Sequence, residues 1–310
     1  MPMENKAKII FFGTPEFAVP TLKALHQEGY NIVLVVTQPD KPVGRKGILT
    51  PPPVKVLTKE LGLEVCQRFD NLKLKTKSLK PDLGVVVAYG EIIPKDILDL
   101  FPLGILNIHP SLLPKYRGPS PIQATILNGD KETGVSIIKL DEKMDHGAKL
   151  KTQNLKLKTD DTYVSLSQRL AMAGAQLLID ILPDYLVGKI KPVPQDDARA
   201  TFTKIITKED GRINWQKSAE EIERQIRAYA PWPGCFSEFV VNGKKINVKI
   251  IEAIHELPLQ DDNQTNIGQF SIQNGQLFVQ CGHGALLIEK IQPEGKKEMT
   301  AKEFINGYLK

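Results

Sequence analysis

Sulfur and long apolar runs are what this 310-residue chain has least of. Its three cysteines, Cys66, Cys235 and Cys281, are too few and too scattered for a disulfide framework or a closed zinc site. A reducing, cytoplasmic compartment is therefore expected. The five histidines, His26, His109, His146, His255 and His283, form no HxH or HxxxH pair, so no metal is expected either. No apolar stretch approaches the ~20 residues that span a bilayer; even 83–88 is broken by Tyr89, Gly90 and Glu91. No membrane partner is expected. The N-terminus, MPMENKAKIIFFG, has neither the apolar core of a secretion signal nor an Arg/Ser-rich transit segment. The first strand-to-helix turn, Gly13-Thr14-Pro15-Glu16-Phe17, lacks the second and third glycines of a dinucleotide fingerprint, which disfavours nicotinamide and flavin. An excess of charge of one sign is scarce as well. A net +5 from 41 basic and 36 acidic residues neither requires nor excludes a nucleic-acid partner.

What is present is an ordinary globular mixture, 41% hydrophobic and 25% charged, which excludes a disordered or coiled-coil chain. Residues 9–12, 32–36, 83–88, 105–109 and 135–140 read as buried strands, near-continuously apolar. Helical spacing fills 17–28, 54–61, 94–100 and 122–127 between them. That alternation predicts a doubly wound, Rossmann-like, mostly parallel sheet. A long helix over 162–186 follows the capping candidates Thr159, Asp160 and Asp161 and ends at Gly188. Residues 189–208 are polar, hold Pro192 and Pro194, show no apolar period, and read as a linker. After an amphipathic helix at 218–228 come strands at 235–241, 246–255, 267–273, 276–280 and 285–292, the pattern of a small OB-like β-barrel. The expected division is 1–188, a linker at 189–208, and 209–310.

Chemistry is concentrated at expected strand ends. In Leu106-Asn107-Ile108-His109-Pro110, period two puts Asn107 and His109 on one face of a strand, at the carboxyl end where open α/β sheets bind ligands. A capped strand end with a satisfied histidine is the plainer alternative, but two polar groups sharing a face there favour a site. Asp145 follows the 135–140 strand, again at its end, and can converge with the other two. Such a trio suits proton transfer and oxyanion stabilisation without a metal. Residues 37–53, with five prolines, two glycines and three cations, form a loop too long for a bare connection. Arg45 and Lys46 there could meet phosphates, or the loop could be a solvated excursion; composition leaves both open.

Taken together, FFGTPEFAVPTL, TQPDKPVGRKG, VVVAYGEIIP, LNIHPSLLPKYRGPSPIQ, ETGVSIIKLDEKMDHG, RINW, RAYAPWPG and PEGKKEMTAKEFINGY resemble the methionyl-tRNA formyltransferase family along nearly the whole chain. The Asn-x-His-x-Ser-Leu-Leu-Pro core is shared by folate-dependent formyltransferases. The loop around Arg45 and the RAYAPWPG and PEGKK stretches resemble the tRNA enzymes alone. The resemblance implies transfer of a formyl group from 10-formyltetrahydrofolate to the α-amine of methionine on initiator tRNA, by a protein acting as a monomer. It implies Asn107, His109 and Asp145 as catalytic groups. Ser111, Leu112, Leu113 and Pro114 would line the folate site, with Val87, Tyr89, Gly90 and Ile92 forming the pterin wall. Arg45 and Lys46 would enter the acceptor stem, and Lys244, Lys245, Lys249, Lys296 and Lys297 would hold the tRNA from the second domain. A related enzyme formylating glycinamide ribonucleotide or an amino sugar nucleotide, or a catalytically idle RNA-binding protein, are the competing readings.

Overall fold

A computed structural model describes residues 7–44, 46–67, 72–241, 243–256 and 266–309. The chain separates into two compact units. The first comprises Met1–Pro121, Glu132–Lys156 and Ser167–Thr203; the second comprises Ile122–Lys131, Leu157–Leu166 and Lys204–Lys310.

The first unit is organised by one seven-stranded sheet. In chain order it supplies β1 (Lys8–Gly13), α1 (Val19–Gln27), β2 (Asn31–Val36), β3 (Lys41–Val43), β4 (Ile48–Thr50), α2 (Pro53–Glu60), β5 (Val65–Cys66), α3 (Leu72–Leu79), β6 (Leu83–Val87), α4 (Lys95–Leu98) and β7 (Ile105–His109). Then follow α5 (Pro121–Leu127), most of which belongs to the second unit, β8 (Glu132–Lys139), β9 (Ala148–Lys156) and α6 (Tyr163–Leu186). The sheet order is β5-β2-β1-β6-β7-β8-β9. The first five strands run parallel, and β8 and β9 close that edge antiparallel. β1, β6 and β7 are buried almost throughout, as strands covered on both faces must be. Side chains alternate. Ile10, Phe12, Leu34, Val36 and Val86 share one core with Tyr89 and Phe101, where the Phe12 ring meets Tyr89 edge-on at 5.7 Å and Phe101 at 6.2 Å.

Several expectations need correction. The helix expected over 94–100 is a single turn, Lys95–Leu98. The polar segment at 148–156, where no strand was expected, is β9; it is an edge strand on which no residue is fully buried, so no apolar alternation marks it. The expected loop at 37–53 contains an antiparallel ribbon, β3 with β4, paired from Lys41 with Thr50 to Val43 with Ile48. The Gly47 N–H donates to the Gly44 carbonyl at 3.1 Å across its tip, and both glycines have positive φ. Arg45 lies outside the described residues.

The second unit adds α7 (Ala219–Tyr229), β10 (Cys235–Val241), β11 (Lys244–Glu256), β12 (Phe270–Gln273), β13 (Gln276–Gln280), β14 (Ala285–Pro293), β15 (Met299–Thr300) and α8 (Ala301–Phe304). Ser218 caps α7 through a reciprocal pair: the Glu221 N–H donates to its hydroxyl, and its own N–H donates to the Glu221 carboxylate. The strands form an antiparallel sheet ordered β10-β11-β14-β13-β12, with β15 added on β14. The sheet curls: Phe239 on the edge strand β10 stacks on Phe270 of the opposite edge, β12, with ring centroids 3.9 Å apart. Trp215 abuts Phe239, and Phe304 abuts Phe270, continuing an aromatic core. The expected small barrel thus exists as a curled sheet, with β15 and α8 in addition to the strands and helix that were expected. Among the described residues, no helix is long and apolar enough to cross a membrane.

Candidate active site

β7 delivers the first two groups. Ile108 points away from the site, packing so closely on α6 that a Cβ on Gly174 would lie 2.6 Å from its Cγ2. Its neighbours Asn107 and His109 therefore share the opposite side of the strand. Both are buried, at 8% and 4% exposed. The third group, Asp145, follows β8 and turns its carboxylate to them. Asn107 Nδ2 donates to Asp145 Oδ1 at 3.3 Å, and His109 Nδ1 lies 3.4 Å from the same oxygen. The other oxygen, Oδ2, accepts the Gly118 N–H at 2.8 Å. His109 Nε2 donates to the Tyr116 carbonyl at 2.9 Å, so both ring nitrogens already have partners and Asn107 is the member whose amide can still turn a proton outward.

Burial, the largest single influence on Asp145, pushes its carboxyl up. The charge and hydrogen bond of His109, the Gly118 N–H and the Arg117 guanidinium outweigh it, and the carboxyl ends below its ordinary value. A buried carboxylate that stays ionised beside an imidazole is suited to accept a proton.

The loop after β7 is locked from below. Ser111 is fully buried, and its hydroxyl donates to the Lys115 carbonyl at 2.6 Å, so it holds the loop instead of facing a ligand. Ser136 Oγ donates to the Ser111 carbonyl at 2.8 Å and accepts the Leu113 N–H at 3.1 Å. Lys149 Nζ donates to the Leu113 carbonyl at 3.0 Å. Leu112 and Pro114 are half-buried and Leu113 is buried. Of the expected pterin wall, Val87 and Tyr89 are core side chains, whereas Gly90 and Ile92 are exposed, Ile92 at 77%. The first turn acts as a clasp: Thr14 Oγ1 donates to the Tyr89 carbonyl at 2.8 Å and accepts the Gln38 N–H at 3.3 Å. Gly13 is required by packing, because a Cβ there would sit 2.7 Å from the Phe11 ring and 2.8 Å from Ala18.

Residues 189–203, expected to be linker, are bonded along their length to this site. Val193 exchanges two backbone hydrogen bonds with Lys149, and the Arg117 N–H and carbonyl pair with Thr201 and Thr203. Thr201 Oγ1 accepts the Tyr116 N–H at 2.8 Å, and Gln195 and Asp197 bond the Arg117 guanidinium. None of these was anticipated; low apolar content masked a segment held by backbone pairing and polar side chains.

The remaining expected residues lie elsewhere. Lys46 is exposed at the ribbon tip, where Val43, Ile48 and Leu49 are also more than half exposed. Lys244, Lys245, Lys249, Lys296 and Lys297 are exposed on the second unit, and Lys245 pairs with Glu238 at 2.7 Å.

Residues 7–182 match the Formyl transferase family and residues 205–309 match the Formyl transferase, C-terminal domain. A protein of Herpetosiphon aurantiacus named methionyl-tRNA formyltransferase is 43% identical over 308 residues, covering 97% of this chain and 97% of its own. Its namesake in Thermodesulfovibrio yellowstonii is 44% identical, covering 96% of this chain and 95% of its own. Among solved structures, the N-formyltransferase of Helicobacter canadensis, in complex with folinic acid and dTDP-3-aminofucose, shares the fold. Its TM-score is 0.69 at 20% identity, over 92% of this chain and 98% of that one.

Proposed function

This chain belongs to the methionyl-tRNA formyltransferase family, and on that premise we propose how its residues divide the reaction. It is a transferase that moves a formyl group from a tetrahydrofolate-derived donor to methionyl-tRNA. In our reading the donor is 10-formyltetrahydrofolate and the acceptor is the α-amine of methionine on initiator tRNA. The product is N-formylmethionyl-tRNA for translation initiation, made by a monomer in the cytoplasm.

Addition of an amine to a formyl carbon places negative charge on the formyl oxygen and leaves a surplus proton on nitrogen. Asn107 answers the first need, its amide donating to the developing oxyanion. Asp145 answers the second: held ionised by its surroundings, it takes the proton, directly or through an ordered water, and passes it to N10 of the folate as the oxyanion collapses and the C–N10 bond breaks, releasing tetrahydrofolate. His109, fixed by the Tyr116 carbonyl, sits against the carboxylate and holds it in place. The loop at 111–114, braced by Ser136 and Lys149, and the exposed Gly90 and Ile92 form the rim that receives the folate. The β3–β4 ribbon, with Lys46 at its tip, engages the acceptor stem together with Arg45 of the same sequence segment, and the lysines of the curled sheet, Lys244 and Lys245 among them, hold the rest of the tRNA.

The observation that carries this reading is the convergence of Asn107 and His109 on one oxygen of Asp145 at a strand's carboxyl end. The test is incubation with formyl-labelled 10-formyltetrahydrofolate and one of three acceptors: methionyl-initiator tRNA, methionyl-elongator tRNA or glycinamide ribonucleotide. Label is expected on the initiator species. Label on glycinamide ribonucleotide alone would overturn the acceptor assignment.

A further inference from the structure

Asp145 adopts φ 50, a left-handed conformation that a residue with a side chain holds only where its surroundings over-determine it. Its carboxylate has partners of its own, but the backbone is held by a different residue, Gln195. The side-chain amide of Gln195 sends both of its protons to this turn: Nε2 donates to the Asp145 carbonyl at 2.8 Å and to the Gly147 carbonyl at 2.8 Å. Its Oε1 accepts from Arg117 Nε at 3.1 Å and from Arg117 Nη2 at 2.9 Å. A guanidinium can only donate and a carbonyl can only accept, so the two ends of the Gln195 amide cannot be exchanged. Arg117 is 4% exposed, and its Nη2 is tied further to Asp197 Oδ1 at 2.7 Å, so the anchor itself is fixed. The next peptide along, Gly118 N–H, is the one that binds Asp145 Oδ2. Two consecutive residues thus grip Asp145 at both ends: Arg117 through Gln195 to the backbone, and Gly118 directly to the carboxylate.

We propose that Gln195, oriented by Arg117, is a positioning residue for formyl transfer: it holds the turn at 145–147 so that the Asp145 carboxylate meets Asn107 and His109. The inference rests on the reading of Asp145 as the proton acceptor. Gln195 acts only through Asp145; its service is to keep a strained turn from relaxing into a conformer in which the carboxylate swings away.

The experiment uses the full chain in four forms beside wild type: Gln195→Met, Gln195→Glu, Asp145→Asn and the double variant Gln195→Met with Asp145→Asn. Methionine keeps the side-chain length but makes none of the four hydrogen bonds; glutamate keeps the Arg117 partner and presents oxygens to two carbonyls that need donors. Formylation of methionyl-tRNA is followed against pH. Each single Gln195 variant is expected to lower kcat about 10- to 100-fold, with KM for the tRNA within about threefold of wild type, as small misplacements of a reacting group do. The acidic limb of kcat should move to higher pH, because a displaced carboxylate loses the contacts that favour its charge. In the Asp145→Asn background, Gln195→Met should cost nothing further, since the two act as one unit. Wild-type kcat and pH profile in Gln195→Met overturn the proposal, as does an equal loss with and without Asp145. If Gln195→Met fails to fold, Gln195→Glu, alone and combined with Asp145→Asn, supplies the same readings. Full activity of Asp145→Asn alone instead overturns the reading of Asp145, an outcome visible without any change at Gln195.

Discussion

At the scale of single residues, the site's behaviour turns on one carboxylate kept ionised where burial would neutralise it. Asp145→Asn preserves shape and the contact with Asn107 but removes the proton acceptor. Its formylation rate should fall by about 10²- to 10⁴-fold, with folate and tRNA binding little changed, measured by single-turnover transfer of labelled formyl. The same carboxylate should mark the stability curve. Its folded pKa lies below the ordinary value of 3.8, so the unfolded chain takes up the proton first as pH falls. The stabilisation is complete above that ordinary value and is lost as pH drops through the lower, folded one. Urea midpoints taken between about pH 5 and pH 3 should therefore fall more steeply for wild type than for Asp145→Asn; parallel curves would count against the charge assignment. Gly118 gives a second measurable case. It has φ 110, and a Cβ there would stand 2.7 Å from the Thr203 carbonyl oxygen. Gly118→Ala should cost about 1 to 3 kcal/mol of stability and disturb the N–H that holds Asp145. Asn107 and His109 were legible in the sequence because strand periodicity alone puts them on one face, and Asp145 because it lies in the loop after the next long strand. Arg117 and Gln195 were not, since 78 positions separate them and neither belongs to a motif with its own spacing rule.

At the scale of elements, the β3–β4 ribbon stands out because every residue of its two strands is exposed. Its paired backbone satisfies itself from Lys41 with Thr50 to Val43 with Ile48, so it can be shortened without opening the core. A chain in which residues 43–48 are replaced by a two-residue Asn-Gly turn should melt within a few degrees of wild type, because almost no buried area is lost. Its KM for methionyl-tRNA should rise, and that KM should depend less steeply on salt, since each lost phosphate contact lowers the salt slope by about one. A melting temperature that drops sharply would show that the ribbon serves the fold. The ribbon was hidden in the sequence by proline and glycine, which signal a turn as readily as a loop. Segment 189–203 misled for a related reason: its hydrogen bonds to 114–120 and to Lys149 are made by backbone and by polar side chains, and neither leaves an apolar period to read.

At the scale of the whole molecule, alternation of strands and helices was enough to anticipate a parallel sheet followed by a small curled one. The grouping of segments was not readable. Residues Ile122–Lys131 and Leu157–Leu166 belong with the second unit, where Arg224 Nε donates to the Leu127 carbonyl at 3.2 Å and Arg227 Nη1 to the Asp161 carbonyl at 2.7 Å. Periodicity tells which face of an element is buried but not which neighbour buries it. Sparse cysteine, which first excluded disulfides, supplies the means to test each unit's integrity. Cys66 is 6% exposed in the first unit, and Cys235 and Cys281 are each 1% exposed in the second. Burial pushes the thiols of Cys235 and Cys281 up to about 12, so at neutral pH neither offers the thiolate that alkylation requires. Iodoacetamide should therefore leave both unmodified in the folded chain and modify both only when their surroundings open. Cys235 begins β10 and pairs opposite Ile250 of β11, while Cys281 follows β13; β11 and β13 both pair with β14. If that sheet unfolds as one cooperative structure, the two cysteines should become reactive at the same urea midpoint, read peptide by peptide by mass spectrometry, with Cys66 reporting the first unit in the same sample. Separate midpoints for Cys235 and Cys281 would mean that the curled sheet opens strand by strand and that its aromatic core, with Phe239 on Phe270, does not bind the two edges into one unit.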